Sequence, residues 1–130
     1  MSEAFLADAC ALIVFCAAQP EAVMSAGALA AMTGDEVHVS SITVWEITRK
    51  ASIGRLPALP QADGSFSGWL LQAGFRMLPL TWRDAERANA LPLIHRDPMD
   101  RMLIAAALAG DLTVITEDHV FAGYGVRTLW

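Results

Sequence analysis

The chain reads as short, unbroken apolar runs separated by longer stretches in which apolar positions recur at helical spacing. "AFLA" (4–7) predicts a buried strand ending at Asp8, and "ACALIVFCAAQ" (9–19) predicts the helix that follows. "PEAVMSAGALAAMTG" (20–34) predicts a second helix, with Pro20 near its start and Gly34 just past its end. "EVHVS" (36–40) predicts a strand. "ITVWEITRKASIG" (42–54) predicts a helix with Ser40 or Ser41 as N-cap and Gly54 as its stop. Residues 55–65 are loop-like. A short helix over 66–74 and a strand over "FRMLPL" (75–80) come next. In "TWRDAERANAL" (81–91) Thr81 and Asp84 form a capping box with Asp in place of Glu. "DPMDRMLIAAALAG" (97–110) predicts the next helix, "LTVIT" (112–116) a strong strand and "GVRTLW" (125–130) a final one.

Strands that alternate with helices, and that are apolar throughout, belong to a mostly parallel sheet covered on both faces. The expectation is a single-domain, three-layer α/β fold over residues 1–130, with a central mostly parallel sheet flanked by helices. Such sheets bind ligands beyond the carboxyl ends of their strands. The residues that directly follow each strand therefore matter most.

Composition supports a substantial core: 55% of the 130 residues are hydrophobic. The longest apolar run, "ACALIVFCAA" (9–18), is too short to span a membrane, and "MSEAFL" lacks the basic start of a signal peptide. The expected location is cytoplasmic. Cys10 and Cys16 lie six apart with no CxxC pattern, and His38, His95 and His119 lack zinc-type spacing. The thiols are expected to be reduced and partly buried. Phe66 and Trp69, beside the loop, suggest apolar surface left over for a partner.

Charge changes the picture less than its distribution does. The net charge of −5 argues against gripping nucleic acid by overall charge. Eight of the nine cations are arginine, and Lys50 is the only lysine. The acids are placed more tellingly. Asp8 follows the first strand, and Asp118 lies two residues past "LTVIT". Asp97 and Asp100 open the apolar helix before that strand, and Glu46 lies in the early turns of the helix after "EVHVS". Each has an ordinary role open to it. Asp97, before Pro98, fits an N-cap; Asp100 complements the helix dipole; Asp8 fits a cap of the first helix and Asp118 a cap of "HVFAGYG" (119–125). Glu46 has Arg49 and Lys50 one turn on, the spacing of a surface ion pair. Capping accounts for each aspartate singly but not for the set on one sheet edge. Four or five converging carboxylates repel one another unless a cation sits among them, and oxygen ligands suit Mg²⁺ or Mn²⁺ rather than zinc.

These pieces together resemble the PIN-domain ribonucleases, specifically the VapC-like toxins of bacterial toxin–antitoxin pairs. The resemblance rests on "FLADACAL", "VSSITVWEITRKASIGRL", "FRMLPLTW", "LPLIHRDPMDRMLIAAAL" and "LTVITEDHVFAGYGV", and spans about residues 5–130. It implies a divalent-metal site built from Asp8, Glu46, Asp100 and Asp118, the last within a T-x-D-x-x-F pattern met by Thr116, Asp118 and Phe121. Asp97 is supplementary, and Thr116 orients a carboxylate or water. Two positions depart from the family: Ala7 where a large aliphatic is more usual, and Cys10 where Ser, Thr or His is common. Neither removes a carboxylate. The implied activity is metal-dependent hydrolysis of RNA, leaving a 5′-phosphate and a 3′-hydroxyl, with Arg49, Arg96 and Arg101 as candidate phosphate contacts. The implied partners are RNA, a cognate antitoxin and a second copy of the chain, with no membrane.

Two other classes stand beside this reading. A receiver-like signalling domain is also acidic and binds Mg²⁺, but it carries paired acids after its first strand and a lysine after its last strands. Here Asp8 is followed by Ala9, and Lys50 lies on an early helix. A PIN fold kept as a binding module without turnover is the other, and RNA cleavage with and without EDTA separates it from a nuclease.

Overall fold

The computed structural model describes residues 3–130; residues 1 and 2 of the expected domain lie outside it. Its five strands are β1 (Ala4–Ala7), β2 (Glu36–Ser40), β3 (Arg76–Leu78), β4 (Thr113–Ile115) and β5 (Thr128–Leu129). They form one sheet in the order β3-β2-β1-β4-β5, and every pairing is parallel. β1 is central, with Phe5 opposite Val37 on one side and Thr113 on the other. Six helices flank the sheet: α1 (Ala9–Phe15), α2 (Ala26–Gly34), α3 (Ser41–Ser52), α4 (Phe66–Gln72), α5 (Trp82–Ala90) and α6 (Pro98–Gly110).

The apolar strand runs are explained by the two faces. Phe5, Ala7, Val37, Val39 and Ile115 pack with Leu12, Ala28, Ile47 and Leu70 on one side. Leu6 and Val114 point the other way, onto Leu103, Ile104 and Ala107 of α6. Alternate side chains of β1 thus serve different cores, so both parities are apolar. Fully burying side chains such as Leu6, Leu12 and Ile104 contributes about 1.5–3 kcal/mol each.

Several elements are shorter than the sequence predicts. The stretch 20–34 is not one helix: a 3-10 turn covers Pro20–Ala22, and α2 restarts at Ala26. Ser25 causes the restart, its hydroxyl accepting the Ala28 amide at 3.1 Å. Gly34 is the last helical residue rather than the one beyond it. β3 stops at Leu78, before Pro79, which has no amide to donate. α3 takes Ser40 as its cap, and Gly54 adopts the left-handed conformation (φ 77°) expected of a stop. The Thr81–Asp84 capping box forms as predicted.

Phe66 and Trp69 do not supply spare surface. Phe66 is buried and stacks on Trp69 with centroids 6.1 Å apart, and Trp69 in turn packs on Phe75. The exposed large apolar side chains lie elsewhere, led by Trp82 (92% exposed) and Leu93 (82%). Both cysteines are free; Cys10 is half-buried and Cys16 exposed. Among the described residues no helix is long and apolar enough to cross a membrane.

Candidate active site

The strand order reverses between β1 and β4: from β1 the chain builds outward through β2 and β3, then crosses to β4 and β5 on the other side. Sheets of this kind open a crevice at the carboxyl ends of the strands where the order reverses. A cleft of about 500 Å³ lies there, lined by Asp8, Glu46, Asp100, Thr116, Glu117 and Asp118, with Lys50 as its only cation among the described residues. Ile13 and Leu103 supply apolar wall. The four predicted ligands and Thr116 are thus brought to one place.

Asp8 leaves β1 and caps α1, its Oδ1 accepting the Ala11 amide at 2.8 Å. It is only 8% exposed. Burial raises its pKa, the charges of Asp100 and Asp118 add to that rise, and hydrogen bonds from Thr116 and Ala11 oppose it. Asp100 occupies the third position of α6, and its pKa is also raised, first by burial and then by Asp97 and Asp118. His95 counters this, its Nε2 lying 2.8 Å from Asp100 Oδ2. Asp118 accepts the Val120 amide at 3.0 Å, while its own amide donates to Thr116 Oγ1 at 3.0 Å. Glu46, half-buried on α3, receives the Lys50 ammonium at 3.0 Å.

Asp97 and Asp100 separate as their positions in the helix suggest. Asp97 Oδ1 accepts the amides of Met99 (2.9 Å) and Asp100 (3.2 Å), so it is the N-cap of α6. Asp100, inside the first turn, faces the cleft.

Among the described residues no three carboxylate, histidine or cysteine side chains converge into a ready-made metal-binding group. Each carboxylate of the cleft is instead engaged by its own protein partner. The donor chemistry still fits a hard divalent cation: five carboxylates line one cleft, and two have pKa values raised in part by their neighbours' charges.

The PIN domain family model matches residues 5–126. This chain belongs to the PIN domain family. Solved structures share the fold at low identity. A FitAB structure bound to an IR36 DNA fragment aligns with TM-score 0.67 and 18% identity over 96% of this chain and 93% of that one. VapBC2 from Rickettsia felis, bound to a DNA fragment from its promoter, gives 0.69 and 10% over 96% of each chain. FitAcB from Neisseria gonorrhoeae gives 0.66 and 19% over 97% of this chain and 96% of that one. No curated protein sequence matches the chain.

The three arginines expected at phosphate have different fates in this PIN domain. Arg49 is exposed and lines a second groove of about 380 Å³ with Trp45, Lys50, Arg55, Asp97 and Met99. Its guanidinium lies over the Trp45 ring, 5.6 Å from the centroid. That groove shares Glu46, Lys50 and Asp100 with the carboxylate cleft, so the two are continuous. Arg96 is exposed but lines neither. Arg101 contradicts the expectation: it is 7% exposed and points into the protein. Its Nη atoms donate to the carbonyls of Ala88, Leu91, Pro92 and His95 and to the Tyr124 hydroxyl. No donor atom of these two is left for RNA.

Sequence reasoning missed two participants, Glu117 and His95, and named Lys50 only as an ion-pair partner of Glu46, which it is. Glu117 lines the cleft and accepts the Cys10 thiol at 3.3 Å. That bond and, above all, burial push the Cys10 thiol up to about 12, so it is no nucleophile at neutral pH. Lys50 lines both cavities. His95 holds Asp100 from the turn before α6. The T-E-D triplet at 116–118 was the available signal for Glu117; nothing in the spacing of His95 pointed to Asp100.

The pKa of Asp8 has a testable consequence. A carboxyl whose pKa is raised by folding stabilises the fold while protonated, and that contribution is lost as pH rises through its folded value. Asn at this position keeps the cap but never ionises. Without divalent ions, Asp8→Asn is therefore expected to gain stability over the wild type as pH rises from about 4, where an unfolded aspartate titrates. Urea unfolding across that range checks this. A difference that moves the other way would mean the carboxylate is stabilised, not strained, by its surroundings.

Proposed function

We propose that this PIN domain is a divalent-metal-dependent endoribonuclease that acts as the toxin of a toxin–antitoxin pair. The observation that carries the reading is the buried Asp8, whose carboxyl shares one cleft with Glu46, Asp100 and Asp118 and feels the charges of two of them. Asp8, Asp100 and Asp118, with Glu46 directly or through water, would hold Mg²⁺ or Mn²⁺. When bound, that ion supplies an activated water and offsets charge on the scissile phosphate. The protein's own groups do the positioning. Ala11 and Thr116 orient Asp8, His95 orients Asp100, and the Thr116 hydroxyl fixes the turn that carries Asp118. Arg49, exposed in the adjoining groove, contacts RNA phosphate beside the cut, and Arg96 contacts it farther out. Local cations of this kind offset an acidic overall charge.

The VapC-like resemblance of the sequence, and the shared fold of a VapBC2 complex, support a toxin role with a cognate antitoxin as partner. A second copy of the chain is the other proposed partner, and exposed Trp82 and Leu93 offer it apolar surface. A cytoplasmic location follows from an RNA substrate. A binding module without turnover is the alternative, and one experiment separates the two. The wild type is expected to cut RNA with Mn²⁺ and not with EDTA. Mn²⁺ at 100-fold over its Kd should also stabilise it by about 2.7 kcal/mol, and Asp8→Asn much less. Equal stabilisation of both proteins, with no cleavage by either, would overturn the nuclease reading.

A further inference from the structure

The Glu46–Lys50 pair has the spacing of an ordinary helical surface pair, which is worth only a few tenths of a kcal/mol. Its surroundings are not ordinary. Lys50 is the chain's only lysine and, among the described residues, the only cation lining the carboxylate cleft. It also lines the neighbouring groove with Arg49 and Arg55, so its stem stands on the boundary between the two. The ammonium is on Glu46, one of the proposed metal ligands, at 3.0 Å. Both side chains keep solvent access, at 39% for Lys50 and 26% for Glu46. Rotation about the four-carbon stem is therefore enough to move the charge from the cleft to the groove, with no backbone change.

We propose that Lys50 is a built-in counter-ion that holds Glu46 in the cation-free protein and, once a divalent ion takes Glu46, turns onto the RNA phosphate in the adjoining groove. This rests on the nuclease reading above. Two positive charges do not share one partly buried carboxylate without cost, so cation binding and the Lys50–Glu46 contact oppose each other. The displaced ammonium then stands in a groove that already presents two arginines, where a phosphodiester is its natural partner. Each turnover would thus couple a loaded site to an extra substrate contact. The unloaded site would hold RNA less well.

Because Lys50 is unique, reductive methylation with ¹³C-formaldehyde gives one lysine resonance, distinct from the α-amine, and methylation keeps the charge. That resonance is expected to shift with Mg²⁺ in step with the rise in melting temperature, and Glu46→Gln to remove the Mg²⁺-linked shift. Lys50→Met is expected to bind Mg²⁺ about five- to ten-fold more tightly, the scale of one opposing charge removed from a partly solvated site. The same variant should raise KM for RNA by about ten-fold, the scale of one lost phosphate contact. Lys50→Gln, which keeps a polar end, should behave like Lys50→Met in both assays. Opposite signs for metal and RNA are what a merely structural ion pair does not produce. If the wild type binds Mg²⁺ and cuts RNA while the resonance stays fixed and both variants match the wild type, Lys50 is a surface pair and this proposal fails alone. If the wild type neither binds Mg²⁺ nor cuts RNA, the nuclease reading fails with it.

Discussion

Asp100→Asn is expected to lower metal-dependent RNA cleavage by at least about 100-fold, because even partners one shell removed from a metal commonly cost 10–100-fold. The fold should survive. Asn still accepts a bond from His95, and it removes a carboxyl whose charge is opposed by burial and by Asp97 and Asp118. Stability without metal should therefore stay level or rise, while stabilisation by Mn²⁺ shrinks. Asp97 behaves oppositely. Its contacts are two backbone amides, and Asn caps a helix about as well as Asp. Asp97→Asn should keep most of the cleavage, whereas Asp97→Ala should lose about 0.5–2 kcal/mol of stability. Purified variants compared by melting without metal and by RNA cleavage decide the matter. Loss of cleavage in Asp97→Asn with retention in Asp100→Asn would invert the two roles.

Those two residues also show why much of this protein is legible in its sequence. Capping and strand-end positions are local: Asp97 before Pro98, Thr81 before Asp84 and Asp8 after an apolar run each report their geometry within four residues. The parallel sheet follows from apolar strands alternating with helices, and it places Asp8 and Asp118 on one rim. What failed was whatever depended on competition or on contacts across the chain. Residues 20–34 carry two start signals, Pro20 and Ser25, and only the second brings a capping hydroxyl, so the α-helix begins there. Phe66 and Trp69 look exposed until Phe75 is known to lie against Trp69. His95 reaches Asp100 because a turn folds back, which periodicity does not report. Arg101 sits next to Asp100 in sequence, yet α6 aims the two side chains in different directions, one into the cleft and one beneath α5.

Arg101→Met should destabilise the protein by about 3 kcal/mol or more, because hydrogen bonds to a charged group contribute ~1.5–3 kcal/mol each and buried acceptors left unpaired cost ~1–3 kcal/mol. Among the described residues Arg101 has no carboxylate partner; its charge is met by carbonyl dipoles. Ala88, whose carbonyl also accepts the Leu91 amide at 3.4 Å, and Leu91 lie at the end of α5, where the helix dipole favours a cation. Pro92 and His95 belong to the segment that carries the His95 ring to Asp100, and Tyr124 is tied in from the far end of the chain, its hydroxyl donating to Pro92 at 2.8 Å. Burying a guanidinium costs several kcal/mol, so relief of that cost offsets part of the loss. The bonds of its four Nη hydrogens, shared among five acceptors, outweigh it, since Met fills similar space but leaves the Leu91 carbonyl without a donor. Arg101→Lys should recover little, because an ammonium has no fork to span Ala88 and His95. Tyr124→Phe removes one hydroxyl and should cost about 1 kcal/mol. Cleavage by surviving Arg101→Met protein should also fall, since His95 loses part of its support and Asp100 its orientation. Urea unfolding and RNA binding, measured on the same preparations, discriminate. A variant as stable as wild type that has lost only RNA affinity would return Arg101 to the phosphate contacts.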